Sequence, residues 1–493
     1  MICFFQLQII IDNYILVMQN ILQAIEKIDK IHYKQFANSR KNNLYDNAYI
    51  YTLPEYKDYL LTHLSSLYKP KTSNNVMDNY IKDKISKVYL PKIKSLLETY
   101  NNIEHIEQKS EEWLVERRQI ISASESGYLL GVKGCGTIIN YLTNKLNVKN
   151  TLDNLRFQPS IQHGNIFEDV SRMIYESRNN VSVHEYGLIK SRKTCILGAS
   201  PDGIVFSGTS RIGRLVEIKN PYKYDETDDI KPEYLIQIYQ QQYVLELPLC
   251  DFIKTNIVGS NVNSDTIANG FQPYKTLDQM LADIPPTPQQ LPQTGRNLVL
   301  YNTNLPQKNL NSKGMEKGVL LSYKSITGEI KVVIYPINIE YEKETITEWI
   351  IQQRNELINS GVNRDSIAVQ YWYVAKYSEQ TVEYDAELFE KNYLPRLELI
   401  WKLIEYLKII QSTHGEDILK TFLETQVKAH LNKPSKFYKD VMNFDANCKV
   451  LQDAIKLKPI TEELSNAVEN VKEKKTVKTQ RKSKLLLEIE LDF

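Results

Sequence analysis

The stretch SPDGIVFSGTSRIGRLVEIKNP, residues 200–221, places an acid at a turn and then an acid and a lysine two residues apart. Pro201 and Gly203 predict a sharp turn that presents Asp202 at the head of a strand through Ile204. Thirteen residues separate Gly203 from Glu217, and Leu215 to Lys219 reads as a second short strand. Side chains alternate along a strand, so Glu217 and Lys219 share one face while Ile218 points the other way, into a core. Two carboxylates and a lysine suit phosphodiester hydrolysis: the acids are hard oxygen ligands for Mg²⁺, the Ile218 main-chain carbonyl is a further ligand, and a cation lies near the attacking water. A partly shielded Lys219 is expected to have a lowered pKa, permitting proton exchange. Taken alone, Asp with a later Glu-x-Lys is most often a surface ion pair, so the flanks decide.

Around this stretch, from Ser110 to Val258, helical and extended patterns alternate. Helices are expected at Glu111 to Arg118, at Ile166 to Ser177 and through Gln237, with strands near Gly187, Ile204 and Val216. Ten of the eighteen glycines fall between Gly127 and Gly213, so tight turns concentrate here. A hairpin is expected from Gly318 to Tyr335 around Thr327-Gly328, followed by a helix from Glu342 to Leu357. The first hundred residues lack glycine and carry helical apolar spacing (Ile21, Leu22, Ile25, Ile28; Leu60, Leu64, Leu67), with breaks at Pro54, Pro70 and Pro91. Asp385 to Ile410 reads as helix broken at Pro395.

The expected organisation is a helical appendage over 1–105, an α/β core over 106–360 with a Pro/Gln-rich insertion at about 260–316, a mainly helical region over 361–470 and a basic, disordered tail over 471–493. Val471 to Lys484 holds seven Lys and Arg against one Glu, which suits a solvated tail, a DNA-contacting arm or a nuclear-import signal.

Composition narrows the function by exclusion. With 493 residues and a net charge of +1, the chain has ample length for several domains but no global field for a polyanion, so any nucleic-acid surface is local. Five scattered cysteines without a CxxC pair argue against a disulfide framework, a zinc ribbon or an Fe–S cluster. The apolar start MICFFQLQII has no basic segment before it and no cleavage site, so neither a signal peptide nor a membrane span is expected.

Four motifs stand in order. Trp113, Arg117 and Ser124 form W-x3-R-x6-S; His163-Gly164 to Glu168 forms G-x3-E; SPDG and LVEIKNP follow; Tyr234 and Gln237 open Y-x2-Q. Together they resemble the YqaJ-like viral recombinases, relatives of the phage lambda exonuclease within the PD-(D/E)xK nucleases. Two departures are Asn220, where that family often has Cys, and Tyr239, where it has a second Gln.

The resemblance implies a restriction-endonuclease-like core, a mixed central sheet flanked by helices. It implies a metal site of Glu168, Asp202, Glu217 and the Ile218 carbonyl, a catalytic Lys219, a Gln237 that orients Lys219 or a phosphate oxygen, and a DNA-phosphate grip of Arg117 and Ser124. His163 is a candidate ligand or substrate contact. The implied activity is Mg²⁺-dependent exonuclease digestion of duplex DNA from a 5′ end, with Mn²⁺ as substitute, in viral recombination, repair or genome processing. Rival expectations are a structure-specific or nicking endonuclease on the same scaffold, and a DNA-binding or virion scaffold protein. Implied partners are double-stranded DNA, a single-strand annealing protein and further copies of the chain, with no membrane. The implied setting is intracellular: host cytoplasm, viral factory or virion.

Overall fold

The computed structural model describes residues 2–40, 42, 44–65, 67, 68, 70–103, 106, 110–129, 138–146, 158–208, 211–222, 229–260, 272–286, 305–325 and 330–424. The basic tail, the Thr327-Gly328 turn and much of the Pro/Gln-rich insertion lie outside them.

The chain opens with α1 (Ile2–Asn38), a 3₁₀ turn (Leu44–Thr52), α2 (Pro54–Ser65), α3 (Pro70–Lys84), a π turn (Ile85–Tyr89) and α4 (Leu90–Asn101). The prolines expected as breaks sit in the first turns of α2, α3 and α4, where the missing N–H costs nothing. Buried Asp29 of α1 accepts from the hydroxyls of Tyr51, Tyr56 and Tyr80, which ties α1, the 3₁₀ turn, α2 and α3 together.

This region is not an appendage. Arg40 pairs with Glu383 at 3.0 Å, Asn42 donates to the Pro248 carbonyl at 3.1 Å, Arg214 donates to the Thr52 carbonyl at 3.2 Å and Tyr100 to the Leu245 carbonyl at 2.6 Å. Its apolar side chains, Tyr49, Leu60, Ile93 and Leu97 among them, join one core with Leu215, Leu249 and Phe252.

The core runs α5 (Glu111–Arg118), β1 (Ile121–Ser122), α6 (Ser126–Leu129), α7 (Ile138–Lys145), α8 (Pro159–Asn179), β2 (Ser182–His184), β3 (Ile189–Lys190), β4 (Leu197–Ala199), β5 (Gly203–Ser207), β6 (Leu215–Lys219), α9 (Pro232–Leu245) and β7 (Leu249–Gly259). Then follow α10 (Leu277–Ala282), β8 (Lys317–Lys324), β9 (Ile330–Ile334), α11 (Lys343–Asn359), β10 (Ala368–Glu383), a π turn (Glu387–Tyr393), α12 (Leu394–His414) and α13 (Glu416–Phe422). Pro395, expected to break a helix, instead lies in the first turn of α12.

Seven strands form a mixed sheet in the order β2-β5-β6-β7-β10-β8-β9, and β1-β4-β3 form a small one. Within the larger sheet β6 and β7 pair in parallel and the other neighbours antiparallel. A parallel pair needs a crossover, and α9 supplies it. One face of β6 packs Val216 and Ile218 with Tyr175 of α8, Val205 and Ile253, as the alternation predicts for Ile218. The fold is thus a mixed α/β core with helices at both ends, as expected. The boundary set at residue 360 falls inside the sheet: β10 pairs with β7 from Leu249↔Glu383 to Gly259↔Trp372. The region beyond 360 therefore begins with a central strand, in which the consecutive residues Trp372, Tyr373 and Val374 are all buried, so it lacks the simple alternation of a half-exposed strand.

Candidate active site

The β5–β6 ladder ends at the Gly203↔Val216 pair. A Cβ on Gly203 would meet Val183 Cγ1 at 2.1 Å, so a residue without one is needed for β5 to lie against β2. Immediately before it, Asp202 Oδ2 accepts the Ile218 N–H at 2.7 Å. The carboxylate takes over where the ladder stops, and that fixes Asp202 beside the end of β6.

Glu217 is fully buried and held by three donors. Its Oε1 accepts from Lys219 Nζ and from Gln237 Nε2 at 2.7 Å; its Oε2 accepts from Gln241 Nε2 at 2.7 Å. Gln237 and Gln241 are one turn apart on α9 and present one helix face to the strand. Gln237, expected to orient Lys219 or a phosphate oxygen, donates here to Glu217, the carboxylate that also accepts from Lys219. Tyr239, at the position of the second family glutamine, packs into the core, and Gln241 shares the hold on Glu217 with Gln237. The signal for Gln241 in the sequence was the i, i+4 spacing from Gln237. Gln240 points elsewhere, donating to the Ile121 and Gly198 carbonyls at 2.8 and 3.1 Å, and so joins the small sheet to α9.

Lys219 Nζ also lies 5.3 Å over the Tyr234 ring, and its side chain is 24 % exposed. The expectation of a lowered pKa is overturned. Burial pushes the ammonium down, but the Glu217 and Asp202 carboxylates outweigh it and hold the group above its ordinary range. Asp202 is pushed well above the usual carboxylate range, first by burial and then by the charges of Glu217 and Glu168, against the pull of Lys219 and the Ile218 N–H.

Among the described residues no three His, Cys, Asp or Glu side chains converge as a closed metal cage. The donor set still fits a hard cation, because the charges of Glu217 and Glu168 both raise the cost of ionising Asp202, which a divalent ion offsets.

Arg117 Nη2 donates to Ser124 Oγ at 2.6 Å, and the guanidinium lies 4.6 Å over Trp113. The two expected phosphate-holding residues are therefore together. Trp113 Nε1 donates to Ser200 Oγ at 3.2 Å, which binds this group to the SPDG turn. Lys145, buried and not singled out in the sequence, donates to the Arg117 carbonyl at 2.5 Å and to Glu125 Oε2 at 3.2 Å. A cavity of about 260 Å³ opens here between Arg117, Arg118, Glu125, Tyr141 and Lys145.

His163 is buried on α8 between Phe167 and Tyr222, with ring centroids 4.8 and 5.6 Å away. Burial pushes its pKa down to about 4, and Nε2 has no hydrogen-bond partner among the described residues. It is thus a neutral imidazole five residues before Glu168 on the same helix.

Residues 112–248 match the model of the YqaJ-like viral recombinase domain. The chain is 26 % identical over 381 residues to the uncharacterized protein R354 of Acanthamoeba polyphaga mimivirus, covering 69 % of this chain and 62 % of that protein, so it spans less than two thirds of this relative's length. Two solved structures are also similar: the alkaline exonuclease LHK-Exo of Laribacter hongkongensis, at 26 % identity, and LHK-Exo in complex with dAMP, at 25 %. Each match covers 32 % of this chain and 78 % of the other, with a TM-score of 0.25.

Proposed function

We propose that this chain is a divalent-metal-dependent deoxyribonuclease acting on duplex DNA, an exonuclease working from a 5′ end in viral recombination, repair or genome processing. The observation that supports it best is the convergence of Asp202, Glu217 and Lys219 under the Gln237–Gln241 clamp, inside the segment that matches the recombinase domain.

Held by Glu168, Asp202, Glu217 and the Ile218 carbonyl, Mg²⁺ or Mn²⁺ would supply Lewis-acid polarisation of the scissile phosphate. Lys219, beside the Glu217 and Asp202 carboxylates, would orient the attacking water and stabilise charge on the phosphate. Gln237 and Gln241 fix the plane of the Glu217 carboxylate. Arg117 offers a rigid fork, with Ser124 beside it, to a backbone phosphate. Duplex DNA is the proposed partner, with an annealing protein and further copies of the chain as candidates. The proposed setting is the cytoplasm or replication factory of a virus-infected cell, or the virion; no helix among the described residues is long and apolar enough to cross a membrane.

End-labelled linear and closed-circular duplexes, incubated with Mg²⁺, Mn²⁺ or EDTA, test this with wild type and Asp202→Ala. Metal-dependent loss of the 5′ label from linear DNA alone, abolished in the variant, is the expected result. Cleavage of circles would favour an endonuclease. Binding without metal-dependent cleavage would favour a DNA-binding scaffold and sink the nuclease assignment.

A further inference from the structure

Lys219 does not stand alone on its face of the sheet. In the parallel ladder it pairs with Lys254 of β7; across the next ladder Lys254 pairs with Ser378 of β10, and Asn256 with Lys376. The residues between them turn to α8. Thr255 Oγ1 lies 2.6 Å from Ser171 Oγ, the Tyr377 ring lies 4.0 Å from the Arg178 guanidinium, Asp251 accepts from Tyr175 at 2.7 Å and Glu379 from Asn179 at 3.1 Å. Phe252 turns the other way and stacks on Tyr234 of α9, with ring centroids 5.8 Å apart. Alternation therefore puts Lys254, Asn256, Lys376 and Ser378 on the face that carries Glu217 and Lys219. Over this stretch the two strands sort charge by face: the carboxylates of Asp251 and Glu379 point to α8, and both lysines point to the side of Lys219. Lys254 and Lys376 are half-buried. Neighbouring strands lie about 4.8 Å apart, so the row steps from Lys219 to Lys254 and then one strand across and two residues along to Lys376. It starts where β6 ends, at the carboxyl end of the parallel pair, the side on which α/β sheets take their ligands.

We infer that Lys254 and Lys376 are substrate-binding residues: with Lys219 they form a track for the DNA phosphodiester backbone, each ammonium holding a phosphate of the strand that passes the reaction centre. The inference rests on the nuclease reading and adds to it two residues beyond the segment that matches the recombinase domain. The Glu217 and Asp202 carboxylates lie at the Lys219 end of the row, so the positive charge farther along it is offset by a polyanion laid across it. A lysine is a point charge on a flexible stem, which suits phosphate contacts made without regard to base sequence. A chain of net charge +1 must build such a surface locally, and sorting charge between the two faces of β7 and β10 does so.

Salt dependence tells a phosphate contact from a structural lysine. Binding of a short fluorescein-labelled duplex in EDTA is measured across a salt series for wild type, Lys254→Gln, Lys376→Gln, the double variant and Lys324→Gln, which alters an exposed lysine at the end of β8. Thermal midpoints and steady-state cleavage in Mg²⁺ accompany each. Either single variant is expected to melt like wild type, to bind about tenfold more weakly at low salt, and to lower the slope of log Kd against log salt by about one unit. The double variant lowers the slope by about two, and Lys324→Gln leaves it unchanged. The weakening is the same for duplexes of unrelated sequence, and KM rises more than kcat falls. If a glutamine variant melts well below wild type, methionine, which keeps the apolar stem, replaces it in the same measurement. A slope equal to wild type in either single variant, or a slope lowered as much by Lys324→Gln, overturns the inference. Wild type that neither binds nor cleaves DNA sinks the nuclease reading itself, whereas an active wild type whose slope the lysine variants match sinks only the track.

Discussion

Gln241 holds Glu217 Oε2 at 2.7 Å while Gln237, one turn earlier on α9, holds Oε1 at the same distance. A buried carboxylate gripped on both oxygens cannot rotate, so the orientation of this ligand is set by the crossover helix rather than by β6 alone. Replacing Gln241 with Leu leaves one oxygen of a fully buried acid short of a partner, which costs about 1–3 kcal/mol. The urea midpoint should fall accordingly, and turnover should fall about tenfold as the carboxylate plane is released. Turnover equal to wild type would mean that the clamp is only structural.

A divalent ion that binds the native acid cluster and not the unfolded chain must stabilise the fold. Thermal melts of wild type should rise with Mg²⁺, by about 2.7 kcal/mol of stability at a hundredfold excess over Kd. Asp202→Asn lacks one charged ligand and relieves the mutual repulsion of the acids, so its midpoint in EDTA should match or exceed that of wild type and respond little to Mg²⁺. A variant that gains as much from Mg²⁺ as wild type would remove Asp202 from the site.

Behind β6, Asp251 is fully buried and accepts from Arg211 at 2.7 Å, Arg214 at 2.9 Å, Tyr175 at 2.7 Å and Thr381 at 2.8 Å. Burial pushes this carboxyl up, but the two guanidinium groups and the hydroxyls prevail and hold it below the usual carboxylate range. An acid with a depressed folded pKa contributes stability that is complete above its unfolded value and lost as pH falls through the folded value. Urea midpoints of wild type should therefore decline toward acid below the ordinary carboxylate range. Asp251→Asn should be weaker at neutral pH and flatter over that limb; equal slopes would contradict the assignment.

The Glu217, Lys219 and Asp202 cluster is local in sequence, and strand alternation with a Pro-Asp-Gly turn is enough to assemble it. Arg117 with Ser124 was named through the family motif, and the end of α5 with β1 brings the two together across seven residues. Other features depend on residues far apart in the chain. Trp113 meets Ser200 and Lys145 meets Arg117 through packing that no period announces. The binding of the first hundred residues to the core rests on single bonds such as Arg214 to the Thr52 carbonyl, made by side chains that would equally suit a surface. β10 escaped because a strand buried between neighbours shows no alternation, and because a strong helical pattern follows it at Asp385.

The position of β10 bears on how the fold comes into being. The recombinase likeness stops at residue 248, one residue before β7 begins, and the strand that completes the pairing of β7 ends at Glu383. Until Ala368–Glu383 has left the ribosome, β7 offers an open edge and Glu383 cannot yet meet Arg40 and Tyr49 from the start of the chain. Catalytic competence is thus expected to arrive late in synthesis, and an excised 112–248 fragment is expected to self-associate rather than to cut DNA.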